Sequence, residues 1–246
     1  MSCRLNVILD LDNTLIYTLD KTHQPFEDQG LKAKNILVDG RVHRTYQRPY
    51  LEHFLDFLFK NFNVGVLTAG TKGYADQIVW NFIQNVLGRK VDFILSREDV
   101  NLANQYLGGN KNMKYIFDVI KPYDYHRCNT ILIDDHPEVH KTNPFNTLKV
   151  EGWKGNADDK VLLDVISTLN TINQRYNKNG CDINRNNTRC TDLKDDLYPI
   201  FPEVKILLTN NQPSQQQPFP SLPPVQLPRN FDIRDYQGQK GMMFMD

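Results

Sequence analysis

Residues 5–9, 63–67, 91–95 and 130–133 form four short apolar runs in the first 170 residues of the chain. They are continuous rather than alternating, the pattern of strands covered on both faces in a parallel sheet. Between the first two lies ILVDGRVHRTY, whose alternating arms flank Asp39-Gly40, a dipeptide suited to a two-residue hairpin turn. Pro49 then introduces YLEHFLDFLFKNF, in which Leu51, Phe54, Leu55 and Leu58 share one helical face. A second helix is predicted over about residues 74–86, with Ala75, Ile78, Val79, Phe82 and Ile83 inward, and a last one over roughly 158–169. Strands alternating with helices predict an α/β fold, a doubly wound, Rossmann-like parallel sheet with a β-hairpin insertion. Ligands of such sheets bind at the carboxyl ends of the strands.

The periodicity stops near residue 173. Beyond it come NQRYNKNGCDINRNNTRC and TNNQPSQQQPFPSLPPVQLP, rich in Asn, Gln and Pro, which bury too little apolar surface to offset the entropy of ordering. The expected organisation is a folded domain, 1–173, and a largely disordered tail, 174–246, in which only a helix near Leu193 or a strand over 204–208 would dock back. The P-x-x-P at Pro220–Pro223 reads as a feature of any Pro-rich linker. Twenty-nine Lys plus Arg balance twenty-nine Asp plus Glu, so no bulk positive field draws in nucleic acid or an anionic membrane. No apolar run approaches the roughly 20 residues of a membrane span, and Asp10 and Asp12 interrupt the first run where a signal peptide would continue. A soluble, intracellular monomer of the nucleus or cytosol is expected. Cys3, Cys128, Cys181 and Cys190 are scattered, and free thiols are the expected state.

Three strand ends carry the chemistry. The first run ends in Asp10-Leu11-Asp12-Asn13-Thr14, the second in Thr68-Ala69-Gly70, the fourth in Asp134-Asp135. Taken singly, an Asp after a strand is commonly a turn former or helix cap. Taken together, Asp10, Asp12, Asp134 and Asp135 at one rim would repel one another by several kcal/mol unless a divalent cation neutralised them. Hard oxygen ligands select Mg²⁺.

In that order, DLDNTL, Thr68, a downstream Lys and Asp134-Asp135 resemble the four motifs of the haloacid dehalogenase (HAD) superfamily of phosphotransferases. The segments DGRVHRTYQRPYLEHFLDFL, VLTAGTKGYADQIV, ILIDDHPEVH and EGWKGNADDKVLLDVI are similar to its branch of phosphatases acting on the C-terminal domain (CTD) of RNA polymerase II, the NLI-interacting-factor-like phosphatases. The likeness spans about residues 5–170. It implies a Mg²⁺-dependent protein serine/threonine phosphatase in which Asp10 attacks phosphorus to form an aspartyl-phosphate. Asp12 would protonate the leaving alkoxide and then take a proton from water. The metal would be held by the Asp10 carboxylate, the Asp12 backbone carbonyl and Asp135, with Asp134 nearby. Thr68 and a lysine would bind the phosphoryl group; Lys114 best fits the family spacing, with Lys111 the alternative in a GGNKN stretch read as a flexible insertion. Asn13 and Gly70 depart from the residues usual in the family, and Asp20 and Thr71 are polar where apolar groove residues are expected.

The spacing bears on substrate size. Fifty-three residues separate Thr14 from Thr68 and 45 separate Thr68 from Lys114, gaps already filled by predicted elements, which leaves no room for a large cap domain. An uncapped crevice admits a phosphorylated protein segment, the RNA polymerase II CTD among the candidates. The resemblance implies that the hairpin helps form a peptide groove, with Ile36, Val38 and Val42 as candidate contacts; packing against the domain is an equal reading of the same residues. Two other readings stand beside it: an uncapped phosphatase or phosphotransferase for small or nucleic-acid phosphates, and a non-catalytic binding module.

Overall fold

In the computed structural model, which describes residues 4–19 and 30–178, the first apolar run becomes β1 (Asn6–Leu9), buried along its whole length. Then follow β2 (Ile16–Thr18), β3 (Ala33–Val38), β4 (Arg41–Gln47), α1 (Leu51–Asn61), β5 (Asn63–Leu67) and α2 (Lys72–Ile78), which runs on as a π-helical turn, Val79–Ile83. β6 (Ile94–Leu95), α3 (Arg97–Leu107), β7 (Thr130–Asp134), α4 (Pro137–Thr142), β8 (Thr147–Lys149) and α5 (Val161–Lys178) complete the order. Five strands form a parallel sheet in the order β6-β5-β1-β7-β8. The chain leaves β1 first to one side and then to the other, so the connections reverse between β1 and β7. That is the switch point of a doubly wound sheet, where a crevice opens beyond the strand ends.

Both faces of the sheet are covered, which explains the unbroken apolar runs. Val7 and Leu9 point with Val64, Val66, Ile131 and Ile133 into one cluster, against Leu51, Phe54, Leu55 and Leu58 of α1 and Leu162, Leu169 and Ile172 of α5. Ile8 points the other way with Leu132 and Leu95, against Val100, Met113 and Ile116. The inward set predicted for the second helix is wholly buried. The predicted strand over 91–95 keeps only Ile94 and Leu95 in the ladder. β8, three residues with no apolar run, went unpredicted.

The hairpin forms as its turn residues require: Asp39 and Gly40 take φ of 47° and 71°, both positive, as a type I′ turn demands. β2, β4 and β3 make a separate antiparallel sheet. The turn fixes the register, pairing Val38 with Arg41, Leu37 with Val42 and Ile36 with His43. Ile36, Val38, Arg41 and His43 therefore share one face, and Leu37 and Val42 the other. No helix among the described residues is long and apolar enough to cross a membrane.

Composition placed the end of the domain at 173, inside what is one helix. α5 continues to Lys178, and Tyr176 packs against the core. Residues 174–177 fall in the expected tail because they are polar apart from Tyr176, the one of the four that packs against the core. The rest of the expected tail, 179–246, lies outside the described residues, as does Asp20. Cys128 is disulfide-bonded, contrary to the free thiols expected; spacing along the chain is a poor guide to which cysteines meet in space.

Candidate active site

Three parallel strands deliver their last residues to the switch point. Asp10 follows β1, with its backbone N–H donating to Ile133 O at 3.0 Å. Thr68 follows β5, with its N–H on Leu95 O at 2.9 Å. Asp134 closes β7 and Asp135 follows it. After Asp10 the chain turns at once: Leu15 N–H donates to Leu11 O, and Asn13 adopts φ 60°, a conformation that Asn tolerates. The Asn13 carbonyl accepts from Trp153 N–H, which ties this turn to the loop after β8.

The result is a crevice of about 840 Å³ lined by Asp10, Asp12, Thr68, Lys111, Asp135 and the hairpin face carrying Val38. Asp10, Asp134 and Asp135 each offer a carboxylate oxygen within 4.8 Å of the others. Thr14 Oγ1 lies 3.1 Å from Asp10 Oδ2 and 3.2 Å from Asp135 Oδ1. Asp12 stands outside this trio. Its Oδ1 accepts from the Tyr74 hydroxyl at 2.5 Å; that hydroxyl lies 2.6 Å from Thr18 Oγ1, itself 2.9 Å from Thr45 Oγ1 on β4.

The lysine in the crevice is Lys111, not Lys114. Lys111 Nζ donates to Asp10 Oδ1 at 2.5 Å and Asp134 Oδ2 at 2.7 Å and is 5 % exposed, whereas Lys114 is exposed and does not line the crevice. Family spacing misplaces the lysine because the preceding loop does not run straight. Gly108, Gly109 and Lys111 take φ of 69°, 78° and 47°, turning the chain inward. Nor does the stretch behave as a loose insertion: Asn143 Nδ2 donates to Lys111 O at 3.1 Å, Asn143 Oδ1 accepts from Met113 N–H at 2.9 Å, and Thr142 Oγ1 accepts from Asn110 N–H at 3.0 Å. α4 thus holds the lysine loop in place.

Two of the three groove candidates also lie elsewhere. Val38 lines the crevice, but Ile36 is packed in the core at 1 % exposure and Val42 stands on the outer face, 68 % exposed. Val42 was grouped with Ile36 and Val38 by residue type, and the two-residue turn puts it on the opposite side. Thr71 lines the crevice and caps α2 by accepting from Tyr74 N–H at 3.4 Å. Tyr74 itself was missed as a site residue. The nearest signal was Gly70, where Ser is usual: a Cβ there would come within 2.6 Å of the Tyr74 ring.

Charge is unevenly matched. Burial first, then the nearby Asp10 carboxylate, pushes Asp134 up to about 6, and the same two causes raise Asp135. Asp12 is pushed up to about 6, mainly by burial, against the Tyr74 hydrogen bond. Burial opposes the charge on Lys111, but Asp10 and Asp134 outweigh it and hold the ammonium above its ordinary range. Three carboxylates against one ammonium leave an excess of about two negative charges. All the donors are hard oxygens, so the residues fit a divalent cation of the Mg²⁺ kind, and Gly152, where a Cβ would lie 2.8 Å from Asp135 Oδ2, keeps that carboxylate's flank open.

Comparison with known proteins places this geometry. Residues 5–179 match the family described as NLI interacting factor-like phosphatase. CTD phosphatase-like protein 355R of Invertebrate iridescent virus 3 is 34% identical over 179 residues, 68% of this chain and 95% of that protein. A C-terminal domain small phosphatase of Dictyostelium discoideum is 27% identical over 169 residues, 68% of this chain and 50% of that one. The solved structure of Fcp1, an RNA polymerase II CTD phosphatase, aligns with a TM-score of 0.45 at 16% identity, over 85% of this chain and 64% of that one.

Proposed function

Since the chain belongs to the NLI interacting factor-like phosphatase family, we propose that it is a Mg²⁺-dependent protein serine/threonine phosphatase of the HAD type that works through an aspartyl-phosphate on Asp10. The observation that carries this reading is the convergence of Asp10, Asp12, Thr68 and Lys111 on one open crevice at the switch point of the sheet. Asp10 is held for attack at both oxygens, one by Lys111 and the other by Thr14. Its carboxylate forms a bond to phosphorus as the bond to the seryl or threonyl oxygen breaks, and Asp12 gives that oxygen a proton. Asp12, pushed up to about 6, is a better proton donor to an alkoxide near neutral pH than an ordinary carboxyl, because more of it stays protonated. Water then attacks the phosphorus of the aspartyl-phosphate while Asp12 takes its proton, and the bond to the Asp10 oxygen breaks, freeing the carboxylate and inorganic phosphate.

A carboxylate about 4 Å from a phosphate dianion faces roughly 8 kcal/mol of repulsion at an effective dielectric near 20. Lys111 supplies part of the compensation, and the Thr68 hydroxyl donates to a phosphoryl oxygen. The Asp10 and Asp135 carboxylates, with the Asp12 backbone carbonyl and Asp134 beside them, would hold Mg²⁺. Bound there, the ion would supply Lewis-acid charge neutralisation for the phosphoryl group. Among the described residues nothing the size of a cap fills the gaps on either side of Thr68, which suits a phosphorylated segment of another protein; the RNA polymerase II CTD is a candidate by likeness. Work inside the cell, as a monomer, belongs to the same reading.

The test is hydrolysis of a phosphoserine peptide and of an aryl phosphate by the full chain. Chelation should silence both and excess Mg²⁺ restore both, with Ca²⁺ a poor substitute. Asp10→Asn should abolish turnover of either substrate in a protein that still folds. Full activity after exhaustive chelation, or an Asp10→Asn variant within tenfold of wild type, would overturn the mechanism.

A further inference from the structure

The crevice is far larger than one phosphate, and its hairpin wall is not apolar. Val38 is the only one of the apolar candidates Ile36, Val38 and Val42 that reaches it; beside it on the same face stand Arg41 and His43 of β4, both lining the crevice. Neither makes a side-chain hydrogen bond or an ion pair among the described residues. The buried cation of the site, Lys111, is taken up by Asp10 and Asp134. Arg97 at the start of α3 also lines the crevice; its Nε is fixed on Ala69 O at 2.9 Å, and its guanidinium pairs with no carboxylate among the described residues. Asp39 in the hairpin turn is the one acid the hairpin adds to the lining, and no ion pair joins it to Arg41.

The chain as a whole is electrically neutral, so an arginine and a histidine without side-chain partners among the described residues, gathered on one wall, are a local feature. They serve no evident packing purpose: Arg41 is exposed and His43 half-buried. They also stand beside a carboxylate cluster that would repel any second anion left without a partner. From this we propose that Arg41 and His43 form a subsite for a second anionic group on the substrate, a phosphate or carboxylate on a residue next to the one being dephosphorylated. The proposal rests on the phosphoprotein phosphatase reading and specifies its substrate class, a multiply phosphorylated or acidic segment. In an extended peptide, side chains two residues apart share a face and lie about 7 Å from each other, the same spacing as Arg41 and His43 along β4. A guanidinium recognises either oxyanion through charge-assisted hydrogen bonds and prefers the more highly charged phosphate.

The experiment compares phosphoserine peptides of one sequence, with serine, glutamate or a second phosphoserine two or three residues to either side, measuring kcat/KM with the full chain. The doubly phosphorylated peptide should be favoured over the serine peptide by about tenfold, through KM, with glutamate between them and the preference shrinking as salt rises. Arg41→Glu should bring the ratio to about one or below, and His43→Ala should reduce it. A ratio near one in the wild type would overturn the subsite, as would a ratio that survives both substitutions. A preference for the second phosphate without any for glutamate would assign the subsite to phosphate alone. If the protein hydrolyses no phosphopeptide, the parent reading fails; equilibrium binding of the same peptides to the same variants then decides the subsite by the same ratios.

Discussion

The three central strands carry buried polar clusters at both ends, and the two clusters differ in kind. At the amino-terminal end Asn6, fully buried, donates from Nδ2 to Asp124 O at 2.7 Å and Asn129 Oδ1 at 3.0 Å, while its Oδ1 accepts from Asn63 at 2.9 Å. Asn129 donates in turn to Asp124 O, and Thr130 Oγ1 donates to Asn129 Oδ1. Every group there is neutral and satisfied inside the protein. At the carboxyl-terminal end stand Asp10, Asp134 and Asp135, with one lysine for three carboxylates, and burial and the Asp10 carboxylate push Asp134 and Asp135 upward. Both clusters are buried, so burial alone does not mark a functional site. What separates them is whether the fold completes its own bonding: a closed amide network pins strands together, whereas a charged cluster left unbalanced needs something from outside.

That contrast can be broken at either end. The largest expected effect is on Lys111. Lys111→Ala removes the cation from the carboxylate end and should lower turnover by about 10²–10³-fold, while Lys114→Ala, at an exposed position, should stay within about twofold. Equal losses in steady-state assays would return the role to Lys114. At the other end, Asn6→Ala leaves the amide of Asn63 and the acceptors of Asn129 and Asp124 short of a partner. It should destabilise the fold by about 2–4 kcal/mol in denaturant titration, with activity per folded molecule unchanged. Lost activity in a fully folded Asn6→Ala protein would show that the two ends are coupled.

Two smaller tests sharpen the picture. Tyr74→Phe keeps the ring but removes the hydroxyl that holds Asp12. Phosphoserine hydrolysis, which needs a proton on its leaving group, should fall about tenfold, and aryl phosphate hydrolysis should change little. Gly70→Ser, whose Cβ would crowd the same ring, should follow that pattern; equal losses on both substrates would mean that Tyr74 serves the fold. The smallest effect concerns His140, 3 % exposed on α4, which burial, aided by Lys149, keeps below the usual histidine range. The unfolded chain takes up its proton first. Stability contributed by the neutral ring is therefore fully present above about pH 6.5 and declines as pH falls below it, a slope that His140→Gln should flatten in thermal melts followed against pH.

Much of this was legible in the primary structure. The sheet strands announced themselves as unbroken apolar runs because both faces are covered, and Asp39-Gly40 marked the hairpin because few dipeptides accept two positive φ values. Asp10, Asp12, Thr68 and the Asp134-Asp135 pair could be picked out because a strand end fixes the direction of its last side chains within a residue or two. The end of α5 could not, because residues 173–177 are mostly polar and only Tyr176 reports their contact with the core. Lys111 could not be separated from Lys114, nor Tyr74 assigned a role, because both depend on distances between segments far apart in the chain.

The order of residues by itself determined the α/β architecture, the absence of room for a large cap on either side of Thr68, and which carboxylates stand at the sheet's carboxyl end. These follow from periods of two and 3.6 residues and from turn chemistry, all local properties. Only the tertiary structure decided which lysine enters the crevice, which hairpin residues face it and which hydroxyl holds Asp12. Those outcomes turn on the positive φ values at Gly108, Gly109 and Lys111, on the one-residue parity of a two-residue turn, and on a contact made possible by a missing Cβ at Gly70. In each, a small local choice is carried by the rigid chain into a displacement of several ångströms at the site, which no pattern along the sequence records.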